Sequence, residues 1–144
     1  MGTTFVRAPV KVLLVDNNPT LLWGLTKLIN AEWPSMSIAG VACTRAQALS
    51  RAVTRPDVIL MDIELDGQPT LDLLPELLRR SGGRVLFFSG RWSDRLERDT
   101  VRRGGKGLVP KGEPAEVVLA AINCASRGEV WRPTPAQVIE LRRV

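Results

Sequence analysis

Apolar positions in this chain fall into two alternating kinds of stretch. Short runs dense in Val, Ile and Leu, at Lys11–Val15, Met36–Val41, Asp57–Met61, Arg84–Phe88 and Gly107–Val109, are separated by longer segments in which apolar residues return every three or four positions. The short runs predict strands and the longer segments amphipathic helices, which together read as repeated strand–helix units around a parallel sheet. The first, third and fourth runs do not alternate with polar residues, which predicts central strands covered on both faces.

The helices carry their own punctuation. Pro19 suits the first turn of a helix whose inward face is Leu21, Leu22, Leu25, Leu28 and Ile29. Thr44 can cap a second helix over Thr44–Arg55, stopped by Pro56. A third is predicted over Leu71–Arg80, where Pro75 is tolerated only near the start, and a polar fourth over Ser93–Arg103. The fifth, Pro114–Arg127, turns Val117, Val118, Ala121 and Ile122 inward. After Gly128, the prolines at 133 and 135 mark a turn, and Ala136–Arg143 reads as the beginning of a sixth helix. The expected organisation is an N-terminal extension over 1–9, one domain over 10–129, and a linker with the start of a helix over 130–144. A chain that stops inside a helical pattern suggests a domain cut from a longer protein.

Composition changes this picture little. The 144 residues suit one domain, and 44% hydrophobic with 24% charged residues is ordinary globular usage. No apolar run is long enough to span a membrane, and Met1–Pro9 lacks the apolar core of a secretion signal, so a soluble, cytoplasmic protein is expected. Cys43 and Cys124 lack metal-type spacing and are expected to be reduced, largely buried thiols. With no His and no Tyr, a Ser/His/Asp or Cys/His nucleophilic apparatus is excluded, as is self-phosphorylation on histidine. The net charge of +5 raises the question of nucleic acid. Yet Arg79–Arg80, Arg102–Arg103 and Arg142–Arg143 sit at predicted helix ends, where they complement the helix dipole, and no basic-aromatic interleaving accompanies them.

Candidate chemistry lies just past the strands, where open parallel sheets hold their ligands. The first strand leads into Asp16-Asn17-Asn18, the third into Asp62, Glu64, Asp66 and Gly67, the fourth into Ser89-Gly90 and the fifth into Lys111-Gly112. Singly, each is more often a turn, a cap or a solvated charge than a functional group. Jointly they offer oxygen ligands for a hard divalent cation, a carboxylate nucleophile, a hydroxyl and a fixed cation at one sheet edge. That set suits phosphoryl transfer to an aspartate.

The segments KVLLVDNNP, DVILMDIEL, FFSG and GGKGLVPKGEPAEVVLAAI, in this order and spacing, resemble a response-regulator receiver domain over roughly Val10 to Glu129. The stretch from Gly104 to Ile122 and the following Arg127–Trp131 are similar to the NarL/FixJ (LuxR-type) subfamily. The resemblance implies a flavodoxin-like (βα)5 doubly wound sheet with strand order 2-1-3-4-5. It implies Asp62 as phosphoacceptor, with metal ligands from Asp16, Asn17, Asp62 and the backbone carbonyl of Glu64. Ser89 and Gly90 then form the switch and phosphate-binding turn, and Lys111 is the phosphate-binding cation. The implied cofactor is Mg²⁺ and the implied partner a sensor histidine kinase. DNA would be reached only through an absent C-terminal domain, and a homodimer face is expected near Trp92 and Leu96.

Three departures stand out. Asn17 replaces the second acid of the usual pair, so Mg²⁺ should bind weakly. Leu108 occupies the position of the aromatic switch residue, and Asp66-Gly67 alters the loop after Asp62. These favour, as the alternative, a pseudo-receiver that acts as a dimerisation or small-ligand module without phosphorylation. A hydrolase of the phospho-aspartate type would need an Asp where Glu64 stands, and beyond phosphoryl transfer to and from Asp62 no enzymatic activity is expected.

Overall fold

The computed structural model describes residues 8–142; most of the N-terminal extension and the last two residues of the sixth-helix segment lie outside them. Seven strands and six α-helices follow in the order β1 (Val10–Val15), α1 (Pro19–Asn30), β2 (Met36–Ala42), α2 (Arg45–Ala52), β3 (Val58–Asp62), β4 (Glu64–Leu65), β5 (Gln68–Pro69), a 3-10 turn (Leu71–Leu73), α3 (Leu74–Ser81), β6 (Arg84–Ser89), α4 (Asp94–Arg102), β7 (Leu108–Pro110), α5 (Ala115–Ser126) and α6 (Pro135–Arg142). Five strands form one parallel sheet in the order β2-β1-β3-β6-β7, which is 2-1-3-4-5 when only the sheet-forming strands are numbered.

The sheet divides the core because successive strand residues face opposite sides. Val12 and Leu14 of β1, with Val58, Leu60, Leu86 and Phe88, pack against α1 and α5 through Leu25, Ile29, Val118 and Ile122. Leu13 and Val15, with Ile59, Met61, Val85 and Phe87, pack against α2 and α3 through Ala48, Ala52, Leu74 and Leu77. Burial on both faces is why β1, β3 and β6 carry unbroken apolar runs.

Several boundaries differ from the expectation. α2 ends at Ala52 instead of Arg55, because Pro56 disfavours a helical residue before it and Arg55 swings to φ 60°. The third helical segment opens as a 3-10 turn before Pro75 enters the first turn of α3. A two-stranded antiparallel hairpin, β4–β5, stands directly after Asp62 where a loop was expected. Cys43 is exposed, correcting the expectation of two largely buried thiols: it lies in the turn that leaves the edge strand β2; Cys124 is half-buried in α5, and both are free.

The segment after α5, read from the sequence as a linker, folds back onto the domain. Trp131 is buried, its amide donates to the Lys106 carbonyl (2.9 Å), and Arg132 pairs with Glu97 of α4 at 2.6 Å. Arg142 of α6 pairs with Asp94 at 2.6 Å. Gly107 makes this return path available: it sits at φ 129°, and a Cβ there would lie 2.5 Å from the Trp131 carbonyl oxygen. Gly107→Ala should therefore destabilise the domain by about 2–4 kcal/mol, from a strained φ plus a backbone clash. Urea unfolding measures this, and a variant as stable as the parent would contradict the packing described.

Candidate functional site

Asp16, Asp62, Ser89 and Lys111 all lie at the C-terminal edge of the sheet. β1 delivers Asp16 as its next residue, and the Asp16 carboxylate accepts the Asn18 amide at 2.9 Å. Asn18 in turn caps α1, taking the amides of Thr20 (3.0 Å) and Leu21 (3.2 Å) on its side-chain oxygen. This nested turn sends the chain into α1 at Pro19 and fixes the acid at the strand end. Asp62 closes β3, with Oδ1 accepting the Glu64 amide at 3.0 Å.

The hairpin after Asp62 has a physical signature. Asp66 and Gly67 adopt φ 51° and 74°, the paired positive values of a two-residue type I′ turn, which suits the twist of the flanking strands. The Thr70 amide donates to the Ile63 carbonyl (2.9 Å), and the buried Thr70 hydroxyl donates to the Asp62 carbonyl (2.6 Å). In the alternating antiparallel ladder, Glu64 and Pro69 then form the pair without mutual hydrogen bonds. The Glu64 amide is thereby left for Asp62, and its carbonyl is not consumed by the ladder.

Lys111 sits between the acids. Its Nζ lies 2.7 Å from Asp62 Oδ2 and 2.9 Å from Asp16 Oδ2, while its amide donates to the Ser89 carbonyl at 2.8 Å. Both acidic residues are nearly enclosed, at 3% exposure for Asp16 and 8% for Asp62. Burial pushes the Asp62 carboxyl above its ordinary value, and the nearby Asp16 charge adds to this; the hydrogen bonds from Lys111 and Glu64 only partly offset it. Burial alone would lower the Lys111 ammonium, but its hydrogen bonds to Asp62 and Asp16 outweigh that and raise it.

The other residues singled out from the sequence are placed less uniformly. Ser89 ends β6 at the same edge, yet its hydroxyl is engaged with the Arg91 backbone, accepting from the amide (3.0 Å) and donating to the carbonyl. Gly90 is exposed, and a Cβ there would meet nothing within 4 Å, so close packing does not demand glycine. Leu108 is fully buried in β7. Asn17 is exposed and donates through Nδ2 to Asp66 Oδ1 at 2.8 Å. Trp92 and Leu96 pack half-buried against the α2–α3 side of the core, so the fold already uses part of the surface expected for a homodimer.

Beside Asp62 opens a cavity of about 860 Å³, lined by Asn17, Glu64, Asp66, Trp92 and Lys111 among others. Residues not anticipated as part of the site are Thr70, which holds the Asp62 backbone, and Arg91, whose guanidinium lies 3.4 Å from Glu64 Oε2 across the cavity mouth. The available donors toward a cation are two carboxylates, the Asn17 amide oxygen and the Glu64 carbonyl, an all-oxygen set suited to Mg²⁺. Among the described residues no third acidic side chain joins Asp16 and Asp62 in a metal-holding group, so the set fits Mg²⁺ with reduced charge.

Residues 12–123 match the family model described as response regulator receiver domain. The nitrate/nitrite response regulator protein NarL of Escherichia coli K12 is 31% identical over 124 residues, covering 85% of this chain and 57% of that protein. The DNA-binding transcriptional activator DevR/DosR of Mycobacterium tuberculosis is 34% identical over 104 residues, covering 71% and 48%. This chain thus spans about half the length of these curated relatives. Among solved structures, a LuxR-family two-component response regulator from Aurantimonas superposes with a TM-score of 0.79 at 24% identity, covering 94% of this chain and 99% of that one. The response regulator domain of Thermotoga maritima CheB gives 0.74 at 23% identity, covering 87% and 99%. At these identities the structures attest the fold.

Proposed function

Because the chain belongs to the response regulator receiver domain family, of NarL/LuxR type, we propose that Asp62 accepts a phosphoryl group from the phosphohistidine of a sensor histidine kinase. The modified domain then controls a C-terminal DNA-binding domain outside this sequence. The observation that carries the reading is Lys111 Nζ bridging Asp62 and Asp16 at 2.7 and 2.9 Å. A cation fixed between two enclosed acids is placed to follow negative charge onto an incoming phosphoryl group. The same bridge favours this reading over a module that works without phosphorylation.

In the step itself, a carboxylate oxygen of Asp62 attacks phosphorus, the phosphorus–nitrogen bond of the donor breaks, and the imidazole leaves neutral, keeping the proton already carried on its other ring nitrogen. The product is an acyl phosphate on Asp62. Asp16, Asp62, Asn17 through its amide oxygen and Glu64 through its carbonyl would hold Mg²⁺, which when bound neutralises charge on the phosphoryl oxygens. Lys111 exchanges its hydrogen bond with Asp62 for one with the phosphoryl group. Ser89 joins it once its hydroxyl leaves Arg91, a turn within the same strand-end loop. Hydrolysis of the anhydride returns the starting state, so the chain acts on itself and on no separate substrate. Encounter with the kinase takes place in the cytoplasm; among the described residues no helix is long and apolar enough to cross a membrane.

Incubation with a small phosphodonor and Mg²⁺ should add the mass of one phosphoryl group to the wild type and nothing to Asp62→Asn. A wild type that gains no mass, or an Asp62→Asn protein that gains it equally, overturns the proposal.

A further inference from the structure

Asn17 stands where the resemblance calls for an acid, and an asparagine presents a cation with either an oxygen or an N–H pair depending on which way its amide is turned. Here the turn is decided by a neighbour. Asp66, at the tip of the β4–β5 hairpin, accepts from Asn17 Nδ2 at 2.8 Å. An ionised carboxylate only accepts hydrogen bonds, so the nitrogen must be the end that faces it. With Nδ2 held there, Oδ1 is the end left for a cation in the cavity that Asn17 shares with Asp62 and Glu64. The hairpin geometry keeps Asp66 in reach: its φ of 51° is accepted readily by Asp, Asn or Gly, and Thr70 ties the far end of the hairpin to the Asp62 backbone at 2.6 Å.

We propose that Asp66 is a positioning residue for the metal site: its carboxylate turns Asn17 into an oxygen ligand for Mg²⁺. The inference rests on the Mg²⁺-assisted phosphoacceptor reading given above. Asp66 acts through Asn17 and not as a ligand itself, since among the described residues no third acidic side chain gathers with Asp16 and Asp62 around a metal position. Supporting groups of this kind, which orient a ligand without touching the ion, typically change metal affinity by about 10–100-fold when removed. The outcome for this chain is a two-residue replacement, Asn17 with Asp66, for one missing acid.

The test is a cycle of Mg²⁺ titrations by calorimetry on the full chain: wild type, Asp66→Gly, Asn17→Asp and the double variant. Glycine keeps the turn, because Gly-Gly is also a favoured type I′ pair. Asp66→Gly should weaken Mg²⁺ binding about tenfold in the wild type, where it frees the Asn17 amide, but by no more than about twofold in the Asn17→Asp background, where there is no amide to orient. A through-space charge effect of Asp66, or a general loosening of the hairpin, weakens binding by the same factor in both backgrounds; equal factors therefore overturn the inference and leave the phosphoacceptor reading standing. A wild type that binds no Mg²⁺ removes both. Should Asp66→Gly melt without cooperativity, Asp66→Asn carries the same comparison, since it keeps the turn and loses the purely accepting partner, and the same inequality between backgrounds is required.

Discussion

Asn17→Asp should tighten Mg²⁺ binding by a factor of about ten, about 1.4 kcal/mol, and speed labelling of Asp62 by a small phosphodonor. The magnitude follows from opposing terms. A unit charge at about 4 Å from another contributes about 4 kcal/mol at the effective dielectric of a protein surface, and a divalent ion doubles this. Against it stand the hydration of the new carboxylate at an exposed position and its repulsion from Asp16, Asp62 and Asp66. Because Asn17 Nδ2 now donates to Asp66 at 2.8 Å, the substitution also replaces a hydrogen bond by two facing acids. The variant should therefore melt below the wild type in a chelator and above it in excess Mg²⁺, a crossover that a simple stabilising or destabilising substitution does not produce. Equal Mg²⁺ affinity in the two proteins would mean that position 17 does not touch the metal.

The parts of this fold readable from sequence are those in which one residue type repeats with a period. β1, β3 and β6 announce themselves because burial on both faces demands apolar residues at every position, and α1 and α5 because their inward faces recur at helical spacing. Strand order is different: nothing in the apolar runs ranks β1 between β2 and β3, and the order 2-1-3-4-5 came from resemblance. The hairpin escaped because its strands, Glu64–Leu65 and Gln68–Pro69, are two residues each and too short to show alternation. Its signal was the Asp66-Gly67 pair alone, which is also the strongest short turn signal a sequence carries.

For the site, position along the chain gave the correct edge of the sheet for Asp16, Asp62, Ser89 and Lys111, since a residue just past a parallel strand can only emerge at its C-terminal end. Contacts set by partners distant in sequence were not readable. The Asn17–Asp66 bond and the return of Arg132 and Arg142 onto α4 each depend on where a second element ends up. The last of these joins α6 to the helix that begins directly after the Arg91–Ser93 turn at the site, so the segment read as a linker is attached to an element leading straight from Ser89.

Lys111→Met should lower stability by about 2–4 kcal/mol near pH 7, with a pH dependence that identifies the cause. Methionine keeps the length and apolar stem of the side chain, so the loss is electrostatic: two enclosed acids, with side chains 5% and 11% exposed, lose the cation between them. Breaking a buried pair costs about 3–5 kcal/mol, and the figure here is smaller because the Lys111 side chain is 26% exposed and water replaces part of its charge. The sign on the alkaline side follows from Lys111 itself, whose folded value is raised above 10.5. Its contribution is complete below 10.5 and is lost as pH rises through the raised value, so the gap between wild type and variant should close as pH passes that value. On the acid side, Asp62 is already raised above 3.8 by burial, and the Lys111 hydrogen bond is the strongest influence holding it down. Without Lys111 the carboxyl takes up its proton at higher pH, visible in an NMR titration of Asp62, and protonation removes the repulsion that destabilises the variant. The gap should therefore narrow again as pH falls through the raised Asp62 value, and urea unfolding of the two proteins across the range should give a deficit that is widest between the two limits. A deficit constant from acid to alkali would assign the loss to packing and sever Lys111 from the charge balance of the site.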